Sequence, residues 1–338
     1  MNEGTKICIL GHFLVDVTFG TVEKEPKLRF GGIAHAARTA WALETPYILA
    51  YLAPEYLDEQ IQNFSSCYGD STAIKIGNVL GCPNVVTIGE PTEAGPQGYQ
   101  FLLRDEQQSI INEQLLNEVC LKKDITDFII FPGGFDLKQV LKALNASQAE
   151  VHIDANFEPD NPEEFFALGR KFSTIAFSTS SDIFMNRYKG SVSQLCDRLL
   201  GTYANAFLFK ENRGGSRFFS VKNPKSPYRI PAQTRHIQHS IGVGDCFDVA
   251  YVICRHKMEE KTALTYASYI AAEYACTTYP DDFADATKAT LQITEEEIIQ
   301  LTGVSLPWEE RPLCNIYIAA PDFEYVDCGP IEQLDLEV

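Results

Sequence analysis

The stretch that most constrains this chain lies in its C-terminal third. It reads His239-Ser240-Ile241-Gly242-Val243-Gly244-Asp245-Cys246-Phe247-Asp248 and runs into an apolar segment, Val249 to Cys254. Two glycines two apart let the backbone turn tightly and let a ligand approach with no Cβ in the way. The segment from Cys246 onward is apolar nearly all round, which predicts a buried helix. The first turn of such a helix leaves N–H groups without partners at the positive end of the helix dipole. That geometry binds anions, phosphate above all. Asp245 then stands beside an anion hole, where a carboxylate can take a proton from a hydroxyl that attacks a phosphoryl group. The same residues also suit a plainer role, a glycine turn before a core helix with Asp245 as its N-cap.

Gly-x-Gly-Asp-x-Phe ahead of an apolar helix resembles the C-terminal signature of the ribokinase-like carbohydrate kinases (phosphofructokinase B type). The resemblance implies that Asp245 is the catalytic base and that Gly242, Val243 and Gly244 form the anion hole. That family usually has Asp-Thr-x before the turn, where this chain has His239-Ser240-Ile241.

With 338 residues there is room for one large domain or two ordinary ones. A net charge of −18 argues against nucleic-acid or anionic-membrane partners, since both depend on positive charge. It does not argue against a phosphate site built from backbone amides. None of the ten cysteines forms a C-x-x-C pair or lies at zinc-like spacing with histidine. Most sit in apolar runs, where cysteine is a small hydrophobe. The polar N-terminus and the lack of a long apolar run fit a reducing cytoplasm. The sequons at Asn63 and Asn145 would then be incidental.

Near the N-terminus, Lys6 to Leu10 reads as a buried strand ending at Gly11, with Asp16 following. Thr18 to Phe30 alternates like a hairpin, and Gly31-Gly32 opens an alanine-rich helix reaching about Glu44. The resemblance assigns Asp16, Gly31 and Gly32 to the acceptor site. There the carboxylate bonds acceptor hydroxyls and the diglycine lets the backbone close on them. His35 stands where that family commonly has Asn, and an imidazole can also bond a hydroxyl. Taken singly, Asp16 suits an ordinary turn and the diglycine a tight strand-to-helix junction. A second alternating stretch, Tyr99 to Arg104, completes a small β lid drawn from about 13–30 and 84–104. Such lids exclude water, and their exposed edges suit pairing into a homodimer.

From Phe128 onward strands alternate with helical patterns, which predicts an α/β fold with a mostly parallel sheet. The family resemblance makes this a ribokinase-like three-layer sandwich, with helices on both faces of the sheet and the β lid. Ligand loops are expected at strand ends, including Pro132-Gly133-Gly134 and Asp154-Ala155-Asn156. Glu158 stands where that family often has a phosphate-binding Arg. Thr179 and Asp182 replace the Asn and Glu of its magnesium–phosphate motif, leaving Asp182 as an indirect metal contact or a helix cap. Lys210, Asn212 and Gly215 fall on the turn that lies along the nucleotide. Asn212 replaces a glycine there and tolerates a positive φ. Lys210 replaces threonine; it could reach a phosphate or simply lie exposed. The helix from Thr262 to Thr278 would pack over the adenine.

The resemblance covers roughly residues 5 to 300; residues 1–306 are expected to form the kinase domain, and residues 307–338 read as a linker and strand-like tail or the start of a second domain. Leu313 to Pro321 is similar to the first strand and loop of a nucleoside 2-deoxyribosyltransferase domain, which points towards nucleosides; a final edge strand fits equally.

Two functions follow. One is an ATP- and Mg²⁺-dependent phosphotransferase acting on a hydroxymethyl group of a sugar or nucleoside, with a monovalent cation as a further candidate cofactor. The other is a binding module that keeps the cleft and has lost transfer, motivated by Glu158, Thr179, Lys210 and Asn212. A dinucleotide oxidoreductase is disfavoured because Gly242-Val243-Gly244 lacks a third glycine and lies late in the chain. No Gly-x-x-x-x-Gly-Lys is present, so a P-loop is absent.

Overall fold

The computed structural model describes residues 4–19, 25–89, 99–157, 159–300 and 303–313. The first strands are β1 (Ile7–Thr18), β2 (Lys27–Gly32), β3 (Tyr47–Ala53), β4 (Ser71–Leu80), β5 (Val85–Ile88), β6 (Tyr99–Phe101) and β7 (Gln108–Ile111). They are followed by β8 (Asp127–Ile130), β9 (Glu150–Asp154), β10 (Phe172–Ser178), β11 (Ala204–Lys210), β12 (Ser216–Ser220) and β13 (Asn223–Ile230). The helices are α1 (Ile33–Ala42), α2 (Asp58–Cys67), α3 (Glu113–Cys120), α4 (Leu137–Leu144) and α5 (Pro162–Phe166). Then come α6 (Val192–Leu199), α7 (Val243–Cys254), α8 (Glu260–Cys276), α9 (Pro280–Gln292) and α10 (Glu295–Gln300).

The main sheet runs β13-β12-β11-β10-β9-β8-β1-β3-β4-β7, parallel from β11 to β4 and antiparallel at its two edges. Its central strands are apolar on both faces, as a sheet covered by helices on each side requires. Ile7, Ile9, Leu49 and Tyr51 face α1, α2, α7, α8 and α9. Cys8, Leu10, Ile48 and Ala50 face α3, α4, α5 and α6. The described cysteines are all free, and among the described residues no helix is long and apolar enough to cross a membrane.

The lid forms as expected, but by a different route at its start. The strand does not end at Gly11. It runs on to Thr18, so residues 7–12 pair in the main sheet and 13–18 pair with β2 and β5 of the lid. β6 then pairs with β5. Gly11 is there for close packing: a Cβ would lie 2.6 Å from Ile33 Cγ2 and 2.8 Å from the Phe131 carbonyl. One continuous strand therefore couples the lid to the sheet. The helix expected after Asp182 is a π-helical turn, Ile183–Arg187, whose wider winding lets Ile183, Phe184 and Tyr188 all bury.

At the amino ends of β8 and β9, remote from the loops that carry ligands, Asp127 is fully buried. His152 Nε2 donates to one of its oxygens at 3.1 Å and His256 Nε2 to the other at 2.7 Å. These bonds hold the Asp127 carboxyl well below its usual range against the opposing effect of burial. Just after α7, Arg255 pairs with Glu150. The far end of α7 is thus tied to the sheet by charge.

A group whose folded pKa is depressed stabilises the fold above its unfolded pKa and loses that contribution as pH falls. Asp127→Asn should lower stability at pH 7 by about 1–3 kcal/mol. It should also flatten the acid loss of stability below about pH 4. Urea denaturation at pH 7 and pH 3 checks both effects.

Candidate active site

Helix α7 begins at Val243, with Gly242 as its N-cap in a left-handed conformation (φ 75°). The sequence expectation of a start at Cys246 places the first turn too late. Gly244 and Asp245 lie inside it, where helix geometry gives their amides no intrahelical acceptor. No side chain caps this end, so Asp245 is not an N-cap. Its carboxylate makes no hydrogen bond or ion pair among the described residues, and its side of the turn is half-buried. Burial first, then the Asp154 and Asp16 carboxylates, push Asp245 up to about 7; Lys210 pulls the other way.

The lid closes on this turn. Ile241 is buried against Val86 and Ile88, with Leu14 and Tyr99 beside them. Burial pushes the Tyr99 phenol up to about 12, with Ser240 beside it acting the other way. Residues directly before the first turn of α7 are therefore held by residues of the lid.

On the acceptor side the structure joins Asp16, Gly31, Gly32 and His35. His35 Nε2 donates to Asp16 Oδ2 at 2.9 Å, and the Tyr274 hydroxyl meets His35 Nδ1 at 2.6 Å. Burial lowers His35 to about 4 despite Asp16 beside it, so the imidazole is neutral. A Cβ on Gly31 would overlap the Asp16 carboxylate at 2.0 Å, and one on Gly242 would overlap the His35 ring at 2.2 Å. Gly32 has φ 58° and no room for a Cβ beside the His12 carbonyl. The glycines thus make the seat of an Asp–His pair. That pair is only 3% and 2% exposed with the lid in this position. Arg29, directly across from Asp16 on β2, approaches His239 Nδ1 at 3.5 Å.

On the expected nucleotide side, Asn212 has φ 50° and opens a tight 3₁₀ turn, Asn212–Gly214, which ends on Gly215. The turn survives the replacement of glycine. Gly215 packs against the Ile230 carbonyl, 2.4 Å from where a Cβ would be. Lys210 is neither exposed nor turned outward. Its ammonium bonds Asp248 Oδ2 at 2.9 Å and Asp154 Oδ2 at 3.1 Å. Asp182 is exposed at the head of the π-helical turn, and no hydrogen bond or ion pair joins it to this cluster. The Thr179 amide continues the β10–β11 ladder by bonding the Lys210 carbonyl at 3.0 Å. Glu158 and the residues after Leu313, with the stretch similar to a deoxyribosyltransferase strand, lie outside the described residues.

The segment after α10 packs on the same turn. Leu306 N–H donates to the Gly214 carbonyl at 3.0 Å, Trp308 N–H to Glu211 Oε1 at 2.6 Å, and Trp308 Nε1 to the Gly190 carbonyl at 2.9 Å. Arg311 bonds the Glu211 carbonyl, so this segment rests on the turn as far as Arg311.

Four contributors escaped sequence reasoning: Tyr99, Tyr274, Arg29 and Asp248. Asp248 carried a signal, since it lies one helical turn beyond Asp245. Tyr274 had none, because a helical tyrosine looks the same whether it packs or donates.

No protein-family model matches the chain, and no curated protein does. Solved structures do. A fructokinase from Xylella fastidiosa with bound ATP superposes with a TM-score of 0.62 at 13% identity, covering 85% of this chain and 98% of that one. A Burkholderia thailandensis nucleoside kinase in complex with inosine gives 0.59 at 16% identity, covering 86% and 96%. An Arabidopsis thaliana ribokinase complexed with ribose and ATP gives 0.56 at 13% identity, covering 86% and 100%. The chain has the ribokinase-like fold.

If Gly242 is required both for its φ and to clear the His35 ring, Gly242→Ala should cost about 2–4 kcal/mol in the parent protein. In a His35→Ala background the cost should fall to about 1 kcal/mol, that of the φ alone. A double-mutant cycle by chemical denaturation measures the difference.

Proposed function

We propose that this protein is an ATP-dependent phosphotransferase that acts on a hydroxymethyl group of a sugar or nucleoside. The observation that carries the reading is Asp245 in the uncapped first turn of α7, without a hydrogen-bond partner among the described residues, beside the free amides of Gly244 and of Asp245 itself. The fold shared with kinases of sugars and nucleosides supports it.

In this reading the terminal phosphoryl group lies on the amides after Gly242, which stabilise charge that develops during transfer. Asp245 takes the proton of the attacking hydroxyl; a pKa near 7 suits a base at neutral pH. Asp16, with His35 behind it, orients the acceptor. Asn212, exposed at the start of its turn, marks the side of that turn left for the nucleotide, since Leu306 covers Gly214. The amides of Gly244 and Asp245 fit a phosphate chain. Asp182, exposed and unpaired among the described residues, fits a hydrated Mg²⁺. Mg²⁺ supplies neutralisation of phosphate charge when bound. The lid, closed through Tyr99 and Ile241, excludes water that would otherwise accept the phosphoryl group.

A coupled assay over a panel of sugars and nucleosides with Mg-ATP tests this. At least one acceptor should be phosphorylated, and Asp245→Asn should lower kcat by about 10²- to 10⁴-fold with acceptor binding largely kept. Near-normal turnover in Asp245→Asn contradicts the assignment. Stabilisation by a nucleoside in a thermal-shift screen, with no ATP consumed, favours the binding-module reading instead.

A further inference from the structure

Lys210 ends β11 directly beneath the anion-hole turn: a Cβ on Gly244 would lie 3.3 Å from its Nζ. Its side chain is nearly buried, as are those of its two partners, Asp154 from β9 and Asp248 from α7. Asp248 Oδ1 has no hydrogen-bond partner. Asp248 and Asp154, with Thr174 and His152, line a small cavity under the helix. Two carboxylates thus bond a single ammonium, and the charge of Asp245 on the turn above also acts on it. A buried carboxylate without a counter-charge takes up a proton instead of staying ionised.

We propose that Lys210 is a positioning residue, the built-in counter-ion that holds the carboxylates beside α7 together and leaves Asp245 free to accept a proton. It is not, on this geometry, a phosphate ligand, since both its carboxylate partners would have to be given up for it to reach outward. The charged and titratable groups facing Asp245 are Asp16 on β1, Asp154 on β9, Lys210 on β11, Asp248 on α7 and Tyr99 on the lid. Lys210 alone among them is positive. Burial and Asp154 push Asp248 upward while Lys210 restrains it, and the three carboxylates push the ammonium upward in turn. This inference rests on the proposed role of Asp245, but its test needs no turnover.

A carboxyl raised above its unfolded value near 3.9 stabilises the fold at low pH. That contribution is lost as pH rises through the folded pKa. The parent's thermal midpoint should therefore carry a downward trend that ends between about pH 7 and about pH 8, where Asp245 and Asp248 titrate. In Lys210→Met the trend should extend upward by about one pH unit or more, a tenfold change in ionisation. Lys210→Met/Asp248→Asn removes one charge of each sign and should return the parent's profile. ATP affinity by calorimetry should stay within about threefold of the parent in both variants.

If Lys210→Met alone does not fold, the comparison is made against Asp248→Asn. That change should move the end of the trend downward, and adding Lys210→Met should move it back up. An unchanged pH profile overturns the proposal, as does a loss of ATP affinity beyond about threefold in either variant.

Discussion

The site depends on charge held out of water at the start of α7. The amides of Gly244 and Asp245 make that end of the helix positive, while Asp245, Asp248, Asp154 and Asp16 make its surroundings negative. Lys210 balances part of this excess from below. In the proposed reaction a phosphate arriving from the cleft would add negative charge where the amides point. The helix must therefore be anchored, or repulsion would shift it. Asp127, His256 and the Arg255–Glu150 pair hold its far end, and Lys210 holds its near end to β9 and β11.

A second constraint is mechanical. Because β1 belongs to both the main sheet and the lid, Asp16 is placed by the same strand that carries the core residues Ile7 to Leu10. The lid's inner residues, Val86, Ile88 and Tyr99, then meet Ile241 and Ser240, immediately before the proposed anion hole. Closing the lid, placing Asp16 and ordering the first turn of α7 are thus one packing event, and the proposed reaction would use all three. The Asp16–His35–Tyr274 chain of hydrogen bonds extends that event to α8.

Much of this was legible in the sequence because it rests on local patterns. Apolar runs of strand length gave the parallel sheet, and Gly242-Val243-Gly244-Asp245 marked the head of α7. Asn212 was correctly read as a residue able to hold a positive φ. Features that depend on distant partners were not legible. Gly11 looked like the end of a strand because its crowding by Ile33 and Phe131 exists only in the folded chain. Lys210 looked like a surface lysine or a phosphate ligand because its two carboxylates come from residues 56 and 38 positions away. His35 replaced an expected Asn, and only the fold shows that Tyr274 completes it.

The central claim is that the first turn of α7 binds a phosphoryl group. A crystal structure of the full chain with a non-hydrolysable ATP analogue and Mg²⁺ tests it most directly. The expected result is the terminal phosphate within hydrogen-bond reach of the Gly244 and Asp245 amides, with an Asp245 oxygen facing the acceptor side of the cleft. A nucleotide bound elsewhere, with that turn left to water or covered by protein, would contradict it.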